Sequence, residues 1–305
     1  MKKRYWILLA LLVLIGVPYY WLLVDNRPGD GPGARIEIPK LRRLAETIPG
    51  PKPEWVAVQT VGWRRVPGNL FVAGGGLKRN LLTIQAGLLG GPWGDIVIDS
   101  GFGARDAEEF GLEAYRPDSQ ARVDAAMRRA RLIVFTHEHL DHMAGLLRLP
   151  DFAQVAPKAL ITPDQLRGNR WADSLPWPKG ARERLKPLRY AGMTAIAPGV
   201  VLIRTPGHTP GSQMIYARLA DGREVLFAGD TATMERSWRQ VRARSRLVGD
   251  LMVGEDRDAV FAWLKAVNRL HRENPKLIVI AGHDEEALRY AKPPLGIGLE
   301  FPAGR

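Results

Sequence analysis

The chain begins with an uncharged apolar run from Tyr5 to Val24, behind the basic cluster Lys2-Lys3-Arg4. Twenty residues at about 1.5 Å each span the roughly 30 Å of a bilayer's hydrocarbon. Tyr19, Tyr20 and Trp21 suit an interfacial aromatic belt, and Pro18 is tolerable in a membrane helix. The length of the run, and the lack of a small-x-small cleavage site near Val24, favour an uncleaved anchor over a signal peptide. Residues 25–53 break the pattern with Pro and Gly and read as a linker, with one or two helical turns between Pro39 and Thr47.

From residue 54 onward, short apolar runs alternate with turn residues. Val56–Val61 and Asn80–Gln85 read as strands, and Gly90–Gly94 turns the chain into Asp95–Asp99. Ala121–Ala130 places Val123, Ala126 and Met127 on one helical face, and Arg131–Phe135 reads as a buried strand. Val200–Ile203 is another apolar run. Ser212–Ala217 and Val225–Ala228 flank Asp221-Gly222, a type I′ turn pair. Asp258–Glu273 has helical spacing and precedes the run Leu277–Ile280.

The candidate chemistry sits where these runs end. Thr136-His137-Glu138-His139-Leu140-Asp141-His142 follows the strand Arg131–Phe135, and His208, Asp230 and His283 follow later apolar runs. His137 and His139, two apart on an extended backbone, point the same way and can meet one cation. Asp141 and His142 lie past the turn and can face a second. Imidazole nitrogen and carboxylate oxygen suit zinc and similar divalent metals, with iron or manganese as alternatives. Five of the six histidines of the chain belong to this set. The sixth, His271, reads as a surface residue on a helix. Glu138 reads as a hydrogen-bond partner of a histidine or as solvent-facing.

These residues resemble the signature of the metallo-β-lactamase-fold hydrolases, H-x-H-x-D-H followed by a spaced His, Asp and His. The resemblance covers about residues 55–290. It implies an α/β fold, the αββα sandwich of two mixed β-sheets flanked by helices, here preceded by one N-terminal transmembrane helix. It implies that His137, His139 and His208 hold a first metal, that Asp141, His142 and His283 hold a second, and that Asp230 bridges them. Asp99, at the end of the run Asp95–Asp99, matches the family's early aspartate, which implies a structural role beneath the site. Two cations bridged by Asp230 would supply hydroxide near neutral pH, with Asp141 or Asp230 passing a proton to the leaving group.

The second half is most similar to the N-acyl homoserine lactone lactonases, through Thr205-Pro-Gly-His-Thr-Pro-Gly211, Gly229-Asp230 and Gly282-His-Asp284. It departs from them where the family has a catalytic tyrosine, since Thr233 stands there. The expected substrate is a small-molecule ester, lactone or anionic compound. A periplasmic β-lactamase or phosphodiesterase of the same fold is the alternative, and a non-catalytic membrane-anchored metal scaffold is the alternative of another class.

Composition narrows the setting. No cysteine is present, which excludes disulfides and thiolate ligation. The net charge of +12 favours anionic partners, including phosphates and lipid headgroups. The densest basic run, Arg236 to Arg246, reads as a solvated loop or a cationic rim. Nucleic acid is not an expected partner, and the oligomeric state is not legible. Residues 1–4 are expected on the cytoplasmic side, 5–24 in the inner membrane as a single pass, and 54–305 as an extracytoplasmic hydrolase domain. Trp171, Trp177 and Trp238 read as packing under loops.

Overall fold

Two β-sheets packed face to face organise the computed structural model, which describes residues 2–27 and 34–302. The first sheet contains β1 (Trp55–Pro67), β2 (Arg79–Gly90), β3 (Ile96–Ile98), β4 (Ala114–Tyr115), β5 (Leu132–Val134) and β6 (Ala159–Leu160). The second contains β7 (Met193–Ala197), β8 (Val200–Arg204), β9 (Gln213–Arg218), β10 (Glu224–Gly229) and β11 (Ile278–Ala281). Their strand orders are β4-β1-β2-β3-β5-β6 and β11-β10-β9-β8-β7. Both sheets are mixed, since β3, β5 and β6 run parallel, as do β10 and β11, while the other neighbours are antiparallel.

The central stretches of the sheets are apolar on both faces because both faces are covered. In β1, Val56 and Val58 point between the sheets, while Ala57 and Val61 point at the helices outside. In β10, Val225 and Phe227 face the other sheet, and Leu226 and Ala228 face a helix layer. The helices Pro117–Arg129 and Leu140–Leu147 cover the outside of the first sheet. Ile38–Ala45 and Arg257–Glu273 cover the second. This is the αββα sandwich expected from the sequence.

Some local readings change. β1 and β2 are much longer than the expected Val56–Val61 and Asn80–Gln85, and they pair along their whole lengths. The β9–β10 hairpin closes through three residues rather than two. Leu219 N donates to the Arg223 carbonyl, Gly222 N donates to Leu219 O, and Gly222 takes φ 87°. That is a type I turn with a glycine bulge, not a type I′ pair.

The segment read as a linker is also more structured than its composition suggests. Residues 28–33 lie outside the described residues. Beyond them, Ile36, Ile38, Leu41 and Ala45 are buried against β8, β9 and the helix Arg257–Glu273. Pro and Gly flank this piece without loosening it, because its apolar face completes the second sheet's outer core.

The N-terminal helix Lys2–Tyr19 continues as a π-helical turn, Tyr20–Val24, just after Pro18. Proline lacks the N–H that the α-ladder needs, and a change of helical pitch there accommodates the loss. Lys3–Val24 is long and apolar enough to cross a membrane by length and composition, and its apolar side chains are exposed.

Candidate metal centre

The sandwich gathers all the candidate donors at one edge. Glu138 and both flanking histidines lie in the loop from β5 to the helix Leu140–Leu147, with His139 at its N-cap and Asp141 and His142 in its first turn. His208 sits between β8 and β9, Asp230 follows β10, and His283 follows β11. Asp99 follows β3. Donors far apart in sequence thus meet because parallel and antiparallel strands end at the same rim.

Two groups form. One holds His137, His139, His208 and Asp230, and the other Asp141, His142 and His283; within each, the donor atoms lie within 4.8 Å of one another. Asp230 lies between the groups. Its Oδ2 is 3.6 Å from His208 Nε2, and its Oδ1 is 2.9 Å from His283 Nε2 and 3.7 Å from His142 Nε2. Asp141 Oδ2 is 3.5 Å from His142 Nε2 and 3.7 Å from His283 Nε2.

The tautomers are organised from outside. His142 Nδ1 lies 2.8 Å from Asp99 Oδ2, His283 Nδ1 2.8 Å from Thr83 O, His208 Nδ1 2.5 Å from Glu255 Oε1, and His137 Nδ1 3.0 Å from Thr136 Oγ1. Each of these rings therefore turns Nε2 inward, while His139 presents Nδ1, which lies 2.9 Å from His137 Nε2 and 3.1 Å from His208 Nε2. Two nitrogens bound tetrahedrally at the usual zinc–nitrogen distance sit about 3.3 Å apart. Three imidazole nitrogens aimed at one point this closely, with His142 Nε2 buried and without a hydrogen-bond partner, fit a cation better than they fit one another. The residues present suit a pair of divalent metals.

Electrostatics separate the two groups. Burial and neighbouring imidazoles, His142 foremost, hold His137 well below the ordinary histidine value, and burial with His208 does the same to His139. Burial and the Arg244 charge lower His208. These three rings are neutral and ready to ligate. Burial also works against charge on His142, yet Asp141, Asp99 and Asp230 outweigh it and raise that ring to about 10. His283 is raised in the same way, chiefly by Asp230. Asp230 itself, though buried, is held well below the carboxylate range by His283 and Arg244.

Asp99 joins two strand ends. It adopts φ 62°, and its carboxylate accepts from Thr136 N and Thr136 Oγ1 at 2.7 Å each, tying the β3 and β5 ends beneath His142. Gly282 is needed for a spatial reason. A Cβ there would lie 2.2 Å from Asp230 Oδ1.

The sequence model of the metallo-beta-lactamase superfamily matches residues 80–283. The chain belongs to that superfamily. Human acyl-coenzyme A thioesterase MBLAC2 is 29% identical over 157 residues, 45% of this chain and 53% of that one, so the match spans about half of that relative. A probable metallo-hydrolase of Mycobacterium tuberculosis is 27% identical over 241 residues, covering 65% of this chain and 74% of that one. Among solved structures, a B. thuringiensis AiiA variant with N-decanoyl-L-homoserine bound superposes with a TM-score of 0.60 at 17% identity, covering 79% of this chain and 97% of that one. At that identity the likeness speaks for the fold.

Several residues around the site escaped the sequence reading. Arg244 was grouped with a basic rim or solvated loop, but it is buried. Its Nη2 donates to Asp230 Oδ2 at 2.7 Å, and its Nη1 donates to Asp230 O at 2.8 Å and Glu255 Oε1 at 2.5 Å. Arg246 pairs with Asp25 and Asp250, and Arg242 donates to Ala73 O, so only Arg236 and Arg239 of the run are exposed, and Arg239 pairs with Glu235. Glu255 had no local signal at all, and only the loop before the helix Arg257–Glu273 delivers it. Glu138 neither meets a histidine nor faces solvent; its carboxylate accepts from Thr209 Oγ1 at 2.8 Å and Gly211 N at 2.9 Å, pinning the His208 loop.

The aromatic residues divide. Trp171 stands edge-on to the half-buried His139 ring, with centroids 4.4 Å apart, and so borders the site rather than merely packing under a loop. Trp177 donates to Ala172 O, and Trp238 is buried against His271, which stands apart from the donor groups. Thr233 is buried, and its carbonyl accepts from His283 N at 2.9 Å, a backbone role that involves no phenol.

Proposed function

We propose that this chain is a membrane-anchored, dinuclear metal-dependent hydrolase acting on an acyl ester, thioester or lactone. The observation that carries the reading is the convergence of seven inward-facing His and Asp donors in two groups sharing Asp230. More donors meet here than the four that a closed structural zinc site needs. Relatives named as an acyl-coenzyme A thioesterase and N-acyl homoserine lactonases support attack at an acyl carbonyl over attack at phosphorus.

In this reading His137, His139 and His208 would hold one cation and Asp141, His142 and His283 the other, with Asp230 placed between the two groups. When bound, the pair would lower the pKa of a shared water and polarise the substrate carbonyl. The protein's own share is orientation and proton handling. Glu255 and Asp99 fix the donor nitrogens of His208 and His142, and Arg244 keeps Asp230 ionised and aimed inward. The substrate enters beside His139 and Trp171, the accessible side. Asp141 would take up at its carboxylate the proton given up by the attacking water and pass it to the departing oxygen or sulfur. The helix Lys3–Val24 serves as the anchor, with the catalytic domain on the extracytoplasmic face.

The test uses the full chain in detergent, loaded with zinc, beside Asp141→Asn. Two metal equivalents, with ring opening of a long-chain acyl homoserine lactone or cleavage of an acyl thioester lost in the variant, is the expected result. One inert metal equivalent and no turnover on either substrate would favour the non-catalytic scaffold.

A further inference from the structure

Outside the N-terminal helix, the exposed large hydrophobic residues among those described are Leu77, Leu251, Met252 and Tyr290. Three of the four belong to segments around the end of that helix. Leu251 and Met252 are each 63% exposed at the tip of the Leu247–Val253 turn, and Leu77 is 68% exposed in the loop before β2. Single exposed apolar residues are ordinary, but a cluster beside an apolar helix is a different matter.

The helix end is seated in the domain by specific contacts. Asp25 is 1% exposed, with Oδ2 3.1 Å from Arg246 Nη2, and its carbonyl accepts from Arg257. Asn26 Nδ2 donates to Val241 O, and its Oδ1 accepts from Ala243 N. Gly74 N donates to the Leu23 carbonyl, which brings the Leu77 loop to the helix. The Arg246 guanidinium lies 5.5 Å from the Trp21 ring and opens the Leu247–Val253 turn. The anchor's end is therefore tied to that turn through Arg246 and to the Leu77 loop through Gly74.

The same turn reaches the metal centre. Arg170 Nη2 donates to Met252 O at 3.0 Å while its guanidinium lies 4.4 Å from the Trp171 ring, and Trp171 stands against His139. Glu255, two residues past the turn, closes it by donating its N–H to Gly249 O, and holds the outward-facing Nδ1 of His208. Arg27, with its side chain 78% exposed, and the half-buried Arg242 and Arg246 supply positive charge around the patch.

We propose that Leu251, Met252 and Leu77 enter the lipid headgroup–acyl boundary, so that the accessible side of the metal centre beside Trp171 meets the bilayer. The site then takes an acyl substrate whose chain remains in the membrane. Apolar side chains at such a boundary sink about 5–10 Å, and neighbouring arginines favour anionic headgroups. This rests on the anchored reading above and adds the substrate's location to it.

The absence of native cysteine allows single-site labelling. Full-length Leu251→Cys and Asp221→Cys would each carry an environment-sensitive fluorophore in bilayers of phosphatidylethanolamine and phosphatidylglycerol. Asp221 sits in the hairpin at the end of β10 opposite Asp230, and serves as the water-facing control. The expected result is blue-shifted emission at Leu251, quenched by lipid-borne quencher, with Asp221 unquenched. A chain that floats with vesicles while its Leu251 label stays in water overturns this proposal alone. A chain that fails to float removes the anchored reading and this proposal with it. In a second arm, Leu251→Asp with Met252→Asp should slow cleavage of a bilayer-resident long-chain ester at least about tenfold relative to a short soluble ester. Equal effects on both esters would overturn delivery from the membrane.

Discussion

Glu255→Gln tests whether His208 is oriented from outside the metal centre. Glu255 is almost fully buried, with Oε1 2.5 Å from both His208 Nδ1 and Arg244 Nη1. The amide preserves volume and leaves an acceptor oxygen, so geometry is retained while the charge is lost. A charge-assisted hydrogen bond contributes about 1.5–3 kcal/mol and a neutral one about 0.5–1.5. The His208 contact therefore weakens by roughly 1–1.5 kcal/mol. Loss of such an outer partner typically lowers metal affinity roughly 10- to 100-fold, or about 1.4–2.8 kcal/mol. The two figures agree at the lower end, so about a tenfold loss for the first zinc equivalent is expected. Competition with a chromogenic chelator measures it, and circular dichroism checks the fold. A well-folded variant that binds the first zinc as tightly as the parent would refute the role given to Glu255.

Other perturbations act on the two metal groups and on the outer core. The first metal meets rings already neutral, so its affinity should vary little with pH near neutrality. In the metal-free chain Asp141, Asp99 and Asp230 hold His142 protonated up to about 10, so loading the second site near neutral pH should release a proton from that ring. Calorimetry in buffers of different ionisation heat counts the protons, and a second metal that binds without proton release would contradict this. Gly282→Ala puts a methyl group 2.2 Å from Asp230 Oδ1, so metal analysis should show loss of an equivalent, and full metal content would argue against Asp230 as the shared ligand. Leu41→Ala opens a cavity under the second sheet at a side chain with no exposed surface, at a cost of about 2–5 kcal/mol in unfolding free energy; an unchanged denaturation midpoint would place residues 34–53 outside the cooperative domain.

The sequence determined the sandwich and its donor set to the extent that both are written in local pattern. Apolar runs ending in His137, His208, Asp230 and His283 announce strands covered on both faces, because only buried strands carry so little polar relief. The spacing of His137, His139, Asp141 and His142 also speaks locally, since a strand end and one helical turn are enough to aim them. Tertiary structure decided what depends on contacts between distant segments. Arg244 looks like one more arginine in a basic run until β10 and the loop before the helix Arg257–Glu273 bring two carboxylates to it. Glu255 acquires its place beside His208 only through that packing. Ile36 to Ala45 lie between Pro- and Gly-rich stretches that read as a linker, yet they close the outer core because the second sheet leaves an apolar face for them to cover. The seating of Asp25 among arginines joins the apolar helix to the domain in the same way. Local pattern reports which residues must be buried or turned; the partners that make burying an arginine or a carboxylate favourable come from elsewhere in the chain, and only the folded arrangement supplies them.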